Sequence, residues 1–344
     1  MNYQEVLKKA KETMAPRCKV CTECNGIACR GISPGPGGRG LGRTFQRNYQ
    51  YLADHVKIHM NVLAQKEEKQ NTEVTLFSKT FAAPVFCAPI GMPDFTYTPF
   101  LNDETYAKAV VAGAKEAGIV AFTGGGAFDK CFFAPLEVTK HFGGWAIPTL
   151  KPWKMDVVKQ RIALAEEAGV FAIAMDVDGI GLQASIDDET IKPIVPKSQQ
   201  DLKEIVSSTK LPFVVKGIMT AKEAMEAVEA GVYGIVVSNH GGRVIEDGLS
   251  TAEMLPEIKK AVGDTVKVFV DGGVRTGSDV FKMIALGADG VLIGRPYAIA
   301  AYGAKEEGVR IYTEKVIKEL KQTMLMTGCF KIKDITMEKI KIVP

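Results

Sequence analysis

The stretch "AVEAGVYGIVVSN", residues 227–239, decides how this chain folds. A helical pattern breaks at Gly231, and an apolar run follows that ends on Ser238 and Asn239. Glycine is a common helix stop because it enters the left-handed conformation without strain. A near-continuous Val/Ile run marks a strand buried on both faces, as a parallel sheet requires. The same helix end, glycine and strand recur in "AKEAGIVAFTG" (114–124), "AEEAGVFAIAMD" (165–176) and "IALGADGVLIGR" (284–295). Each copy is the α-to-β half of a βα unit.

Extending the pattern gives eight predicted strands: 83–89, 119–123, 144–149, 171–177, 212–217, 234–239, 266–271 and 290–294. Helical segments such as "TAKEAMEAVEAG" and "TGSDVFKMIALGA" fill most gaps, each opening on a Thr cap. Eight such units without a compositional break fit one closed α/β barrel of the (β/α)8 type better than an open doubly wound sheet. Residues 1–45 are then an N-terminal extension, residues 46–344 hold the barrel, and the segment after Tyr302 is a helical tail. "GISPGPGGRGLGR" (31–43) reads as a Gly/Pro-rich linker or loop.

Composition narrows the function classes. The chain has 344 residues, 46% apolar and 24% charged, with a net charge of +3. That charge is small and dispersed, which argues against nucleic acid as a partner. No apolar run approaches the roughly 18 residues of a membrane span, and the N-terminus lacks the apolar core of an export signal. The cytoplasm is the expected location.

In a (β/α)8 barrel, chemistry sits where strands end. Strand four ends at Asp176, strand five at Lys216, and strand six at Ser238, Asn239 and His240. Strand seven ends at Asp271, Gly272 and Gly273, and strand eight at Gly294 and Arg295. Singly, such residues are more often caps or solvated charges, but five neighbouring strands ending this way indicate a site. "DGGVRTGSD" places two glycines, Arg275 and a helix start in succession, and "IGRP" adds Arg295, so both can hold a phosphate.

"SNHGGR" (238–243), preceded by "VVKGI" and followed by "VDGGVRTGSDVFKMIALGADGVLIGRP", resembles the FMN-dependent 2-hydroxy acid dehydrogenase and oxidase family, which includes glycolate and lactate oxidases. The resemblance is strong over about residues 205–300 and fainter back to "APVFCAPIG". It implies a (β/α)8 barrel that binds FMN and oxidises an L-2-hydroxy acid of lactate or glycolate type to the 2-oxo acid. His240 would be the base and Asp176 would steady its imidazolium. Arg243 would pair with the substrate carboxylate, and Lys216 would face the flavin. Pro89, Ile90, Gly91, Thr123 and Ser238 would line the isoalloxazine. Asp271, Gly272, Gly273, Arg275, Gly294 and Arg295 would hold the ribityl chain and phosphate. By the same analogy the enzyme would be a homo-oligomer, a tetramer, with oxygen or a redox protein as electron acceptor. Two alternatives share these loops: an FMN-dependent isomerase of isopentenyl diphosphate type, and a catalytically silent flavin-binding redox module.

Physical chemistry supports the roles independently. A guanidinium reads a carboxylate bidentately. Oxidising a 2-hydroxy acid needs a base near neutral pH, which imidazole supplies, and an electron sink, which a cofactor supplies. The chain also departs from the family pattern. Ile147 and Thr149 stand where a Gln and a Tyr are expected on strand three. Gln183 replaces a second substrate arginine, and an N-terminal Tyr has no counterpart.

"CKVCTECNGIAC" places Cys18, Cys21, Cys24 and Cys29 within twelve residues. Such spacing suits an iron–sulfur cluster or a zinc site, with free thiols as the remaining reading. His55 and His59 are spaced as an i, i+4 pair, more in keeping with a helix surface than with a metal site.

Overall fold

A computed structural model describes residues 1–32, 35–64, 68–126, 128–183 and 193–344. Eight parallel strands form the barrel: β1 (Val85–Cys87), β2 (Phe122–Thr123), β3 (Ile147–Leu150), β4 (Ile173–Asp176), β5 (Phe213–Ile218), β6 (Gly234–Val237), β7 (Lys267–Val270) and β8 (Gly290–Ile293). Each overlaps an expected segment, with β3 and β5 running one residue past it. Neighbours pair in sequence order, and Val291 beside Val85 joins β8 to β1. A single bridge from Cys87 to Ala121 closes the ring between β1 and β2.

Alternation along the strands separates two cores. On β7, Phe269 points into the barrel, where it packs with Phe86 and Phe122, while Val268 and Val270 face the helices. A hairpin, Val74–Leu76 paired with Lys79–Phe81, carries Phe77, whose ring stacks on Phe269 at 5.6 Å and on Tyr233 at 4.7 Å. Tyr233 immediately precedes β6, so this hairpin seals the N-terminal mouth. The opposite mouth, where the strands end, is left for chemistry.

The expected caps are present. Thr220 accepts from Glu223, and Thr276 forms a reciprocal pair with Asp279. The tail is helical, as expected, through Arg295–Thr327, with a break at Ala304 and Lys305 where Lys305 has φ of +48°. Beyond the helix, Ile340–Ile342 forms a strand antiparallel to Val56–Ile58.

The N-terminal helix Tyr3–Met14 opens on a capping box made by Asn2 and Glu5. Its buried face, Val6, Ala10 and Met14, lies against the tail helix. Gly303 permits this approach, because a Cβ there would strike the carbonyl oxygen of Val6. Gly303→Ala is expected to cost about 1–3 kcal/mol and to expose residues 1–30 to limited proteolysis. Digestion rates equal to those of the parent would show that this contact does not hold the arm.

Candidate active site

Strand β6 runs into a turn at His240–Gly242 with φ of +57°, +63° and +80°. A left-handed histidine persists only where its surroundings hold it. Here Asn239 and the buried Asn48 exchange side-chain amide hydrogen bonds of 2.8 and 2.9 Å, and Asn239 also accepts from the Gly242 amide. Asn48 belongs to the helix Arg43–Gln50, so the segment before the barrel braces the turn.

The imidazole lies between two carboxylates. Its Nδ1 is 3.0 Å from Oδ1 of Asp178, and its Nε2 is 3.9 Å from Oδ2 of Asp176. Asp176, expected to steady the imidazolium, instead accepts a 2.6 Å hydrogen bond from the buried ammonium of Lys151. The direct partner of His240 is Asp178. The 3-10 turn Val177–Gly179 carries it back over β5, where Gly217 has no Cβ to obstruct it: one there would lie 2.6 Å from the Asp178 carboxyl carbon. Burial, the largest influence, lowers the His240 pKa, with Lys216 and Lys151 adding and Asp178 opposing. Burial alone would raise the Asp178 carboxyl, but His240, Lys216 and Lys151 outweigh it and hold it well below the usual range. Burial thus favours the neutral imidazole, beside a carboxyl that is held ionised.

Lys216, on β5, forms the second cluster. Its ammonium donates to Ser238 Oγ at 2.9 Å and lies 3.4 Å from Asp271 Oδ2, to which Ser238 donates in turn. Burial opposes a charged Lys216, but Asp271, Asp178 and Asp176 together raise its pKa. A fixed positive charge therefore stands at the centre of the mouth.

Two adjoining cavities open here, with Pro89, Ile90, His240 and Arg243 in the wall of both. The first runs from Lys216 past Asp271, Gly272, Gly273 and Arg275 to Gly294 and Arg295. The second holds Gly91, Lys151, Asp176 and, among apolar side chains, Met92, Phe95, Leu182 and Ile194. Thr123 is buried at the end of β2 but lines neither cavity. Ser238 takes part through Lys216.

Residues 36–198 and 182–342 match the profile of the FMN-dependent dehydrogenases. The chain belongs to that family. A peroxisomal (S)-2-hydroxyacid oxidase of Arabidopsis thaliana is 33% identical over 297 residues, covering 76% of this chain and 78% of the relative. A 4-hydroxymandelate oxidase of Amycolatopsis orientalis is 31% identical over 75% of this chain and 79% of its own. Among solved structures, mandelate oxidase superposes with a TM-score of 0.79 at 26% identity, over 99% of this chain and 98% of that one. The family reaction is FMN-dependent oxidation of 2-hydroxy acids.

The first cavity fits the family's cofactor. Oδ1 of Asp271 and Nη2 of Arg275 are buried without a hydrogen-bond partner among the described residues, as polar atoms awaiting a ligand would be. Gly272 and Gly273 have φ of +98° and +80°, and a Cβ on Gly273 would meet the carbonyl oxygen of Asn48. Arg275 and Arg295 are both braced by the N-terminal arm. Arg275 Nε donates to the Cys24 carbonyl at 3.0 Å. Arg295 donates to the carbonyls of Pro36 and Gly241, and its guanidinium stacks 3.7 Å from the Phe45 ring centre.

The Gly/Pro-rich stretch, legible only as a linker or loop, is thus part of the site. Gly35–Gly38 are buried, and Arg39 donates its amide to the Gly242 carbonyl at 2.8 Å. Lys151 and Asp178 were also missed as site residues, although each follows a strand end. Gln183 closes a short helix, Ile180–Gln183. Ile147 and Thr149 are buried on β3. The His55 and His59 pair does not share a helix face, because the strand Val56–Ile58 lies between them.

The geometry separates the two aspartates experimentally. Asp178→Asn should slow flavin reduction by roughly 10²–10⁴-fold while the folded fraction at assay temperature still binds FMN. Asp176→Asn leaves Lys151 buried without its carboxylate and should cost about 3–5 kcal/mol of stability. Stopped-flow absorbance and thermal melts distinguish them, and a reversed pattern would return the imidazole's partner to Asp176.

Proposed function

We propose that this enzyme oxidises an L-2-hydroxy acid carrying a bulky apolar side chain. The observation that carries this reading is the shared wall. His240 and Arg243 face both the FMN-fitting cavity and a second one lined by Met92, Phe95, Leu182 and Ile194. Arg243 anchors the substrate carboxylate, and its Nε is buried without a partner among the described residues. Arg39, also in the second cavity, brings a guanidinium where Gln183 leaves the family's second arginine missing. Relatives named for hydroxymandelate and mandelate show that the family accommodates an aromatic substituent, and the apolar lining of the second cavity favours one here.

His240 takes the alcohol proton, and Asp178 stabilises the imidazolium that results. Bound FMN supplies the electron sink. Lys216, kept charged by three carboxylates, offsets negative charge arriving beside it. Pro89 and Ile90 face the ring region, while Asp271, Gly272, Gly273, Arg275, Gly294 and Arg295 hold the ribityl chain and phosphate.

The four cysteines of the arm form a thiolate metal centre in this reading. None of the seven cysteines is in a disulfide, which suits a reducing compartment such as the cytoplasm. Among the described residues no helix is long and apolar enough to cross a membrane. By analogy the enzyme assembles as a homo-oligomer.

Anaerobic addition of glycolate, L-lactate, branched 2-hydroxy acids and L-mandelate to the FMN-loaded protein tests the reading. Flavin absorbance should bleach fastest with the branched and aromatic acids and remain with their D-enantiomers. No bleaching by any acid, with flavin still bound, would instead favour a silent binding module. Arg243→Lys should raise the substrate concentration needed for half-maximal bleaching by roughly 10–100-fold.

A pH profile follows from His240. The base acts as neutral imidazole, and burial holds its pKa below the usual 6.5. Bleaching rates should rise with pH through a midpoint below 6.5 and stay level through neutrality. A midpoint above 7 would contradict that burial effect.

A further inference from the structure

We infer that the N-terminal arm carries an iron–sulfur cluster that leads electrons out of the active site to a one-electron carrier protein. This deepens the proposed reading and rests on its flavin site. Cys18, Cys21, Cys24 and Cys29 line a single cavity, together with Tyr97 and Arg295. Left-handed turns at Val20 (φ +46°) and Gly26 (φ +86°) fold the loop between them. The helix Tyr3–Met14 and the Arg275 bond to the Cys24 carbonyl fasten the loop to the barrel.

Position separates the two metal chemistries. A zinc held by four thiolates is redox-inert and serves to hold structure, and this loop is already fastened by the Arg275 bond to the Cys24 carbonyl. A thiolate-ligated iron cluster carries electrons, and the four thiols line a cavity whose wall shares Arg295 with the FMN-fitting cavity.

Position supplies the function. Arg295 forms part of the wall of both the cysteine cavity and the FMN-fitting cavity. One guanidinium therefore stands between the two redox sites, a separation suited to electron tunnelling. Oxidation of the 2-hydroxy acid releases two electrons and two protons. One proton goes to His240 and the other to solvent. The electrons pass singly through the cluster, reducing two molecules of the carrier.

The test uses the full-length protein purified without oxygen and supplied with iron, sulfide and FMN. Roughly four irons and four sulfides per chain are expected, with an electron paramagnetic resonance signal after dithionite reduction that differs from a flavin radical. Cys21→Ser, at the most exposed of the four thiols, should lose that signal and most of the iron while retaining FMN and substrate-driven bleaching. Its reduction of cytochrome c should fall by roughly an order of magnitude. One zinc per chain in place of iron, or FMN-loaded protein that takes up neither iron nor sulfide, would overturn the inference. So would Cys21→Ser that keeps its iron and its rate with cytochrome c. If that variant does not fold, the metal content and resonance signal of the parent decide. A protein that holds the cluster but is not bleached by any 2-hydroxy acid refutes the substrate reading alone.

Discussion

Charge burial at the barrel mouth is the constraint from which the rest of this site follows. Lys151, Asp176, His240, Asp178, Lys216 and Asp271 are packed into one rim, and an isolated ion there would meet a desolvation penalty of several kcal/mol. The arrangement alternates signs, so each carboxylate has an ammonium or imidazole beside it. Lys151 occupies Asp176, which leaves Asp178 to the imidazole. Lys216 occupies Ser238 and Asp271, which fixes a positive charge on a second set of partners. One principle thereby yields two differently tuned regions, an imidazole biased towards its neutral form and a lysine biased towards its charged form.

The same rim explains why glycine appears where it does. Gly217 makes room for the Asp178 carboxyl, and Gly241 makes room for the Arg295 guanidinium, 2.7 Å from where a Cβ would stand. Neither position could accept a side chain without displacing a charged group from its partner. The "HGG" turn and the register shift on β5 between Lys216 and Ile218 are thus packing solutions that follow from crowding ions together.

Most of the barrel was legible because its signal is local. Each helix end, glycine and apolar strand can be read within a dozen residues, and the strand ends placed Lys216, His240 and Asp271 at one mouth. Lys151 escaped because β3 runs to Leu150, one residue beyond the expected end, which puts the lysine next on the rim. Asp178 escaped for a different reason. Strand periodicity favours Asp176, and only the 3-10 turn after β4 together with a missing Cβ on β5 brings the other carboxylate to the imidazole. The pairing of Val56–Ile58 with Ile340–Ile342 joins segments from opposite ends of the chain, and no local pattern announces it.

The N-terminal arm shows how composition can mislead about mechanics. Glycine and proline between residues 31 and 43 suggest slack chain, yet backbone carbonyls from Pro36 and Gly37 are held by Arg295. Small residues are needed there because backbone packs on backbone: a Cβ on Gly38 would lie 3.0 Å from the Gly242 carbonyl oxygen. Arg295 loses hydration on burial, and its pKa falls to about 10, with Arg243 adding to that effect. Carbonyl acceptors and the Phe45 face replace the lost water. The arm is consequently part of the electrostatic environment of the Arg275 and Arg295 end of the first cavity, and movement of the cysteine loop would be transmitted to both arginines together.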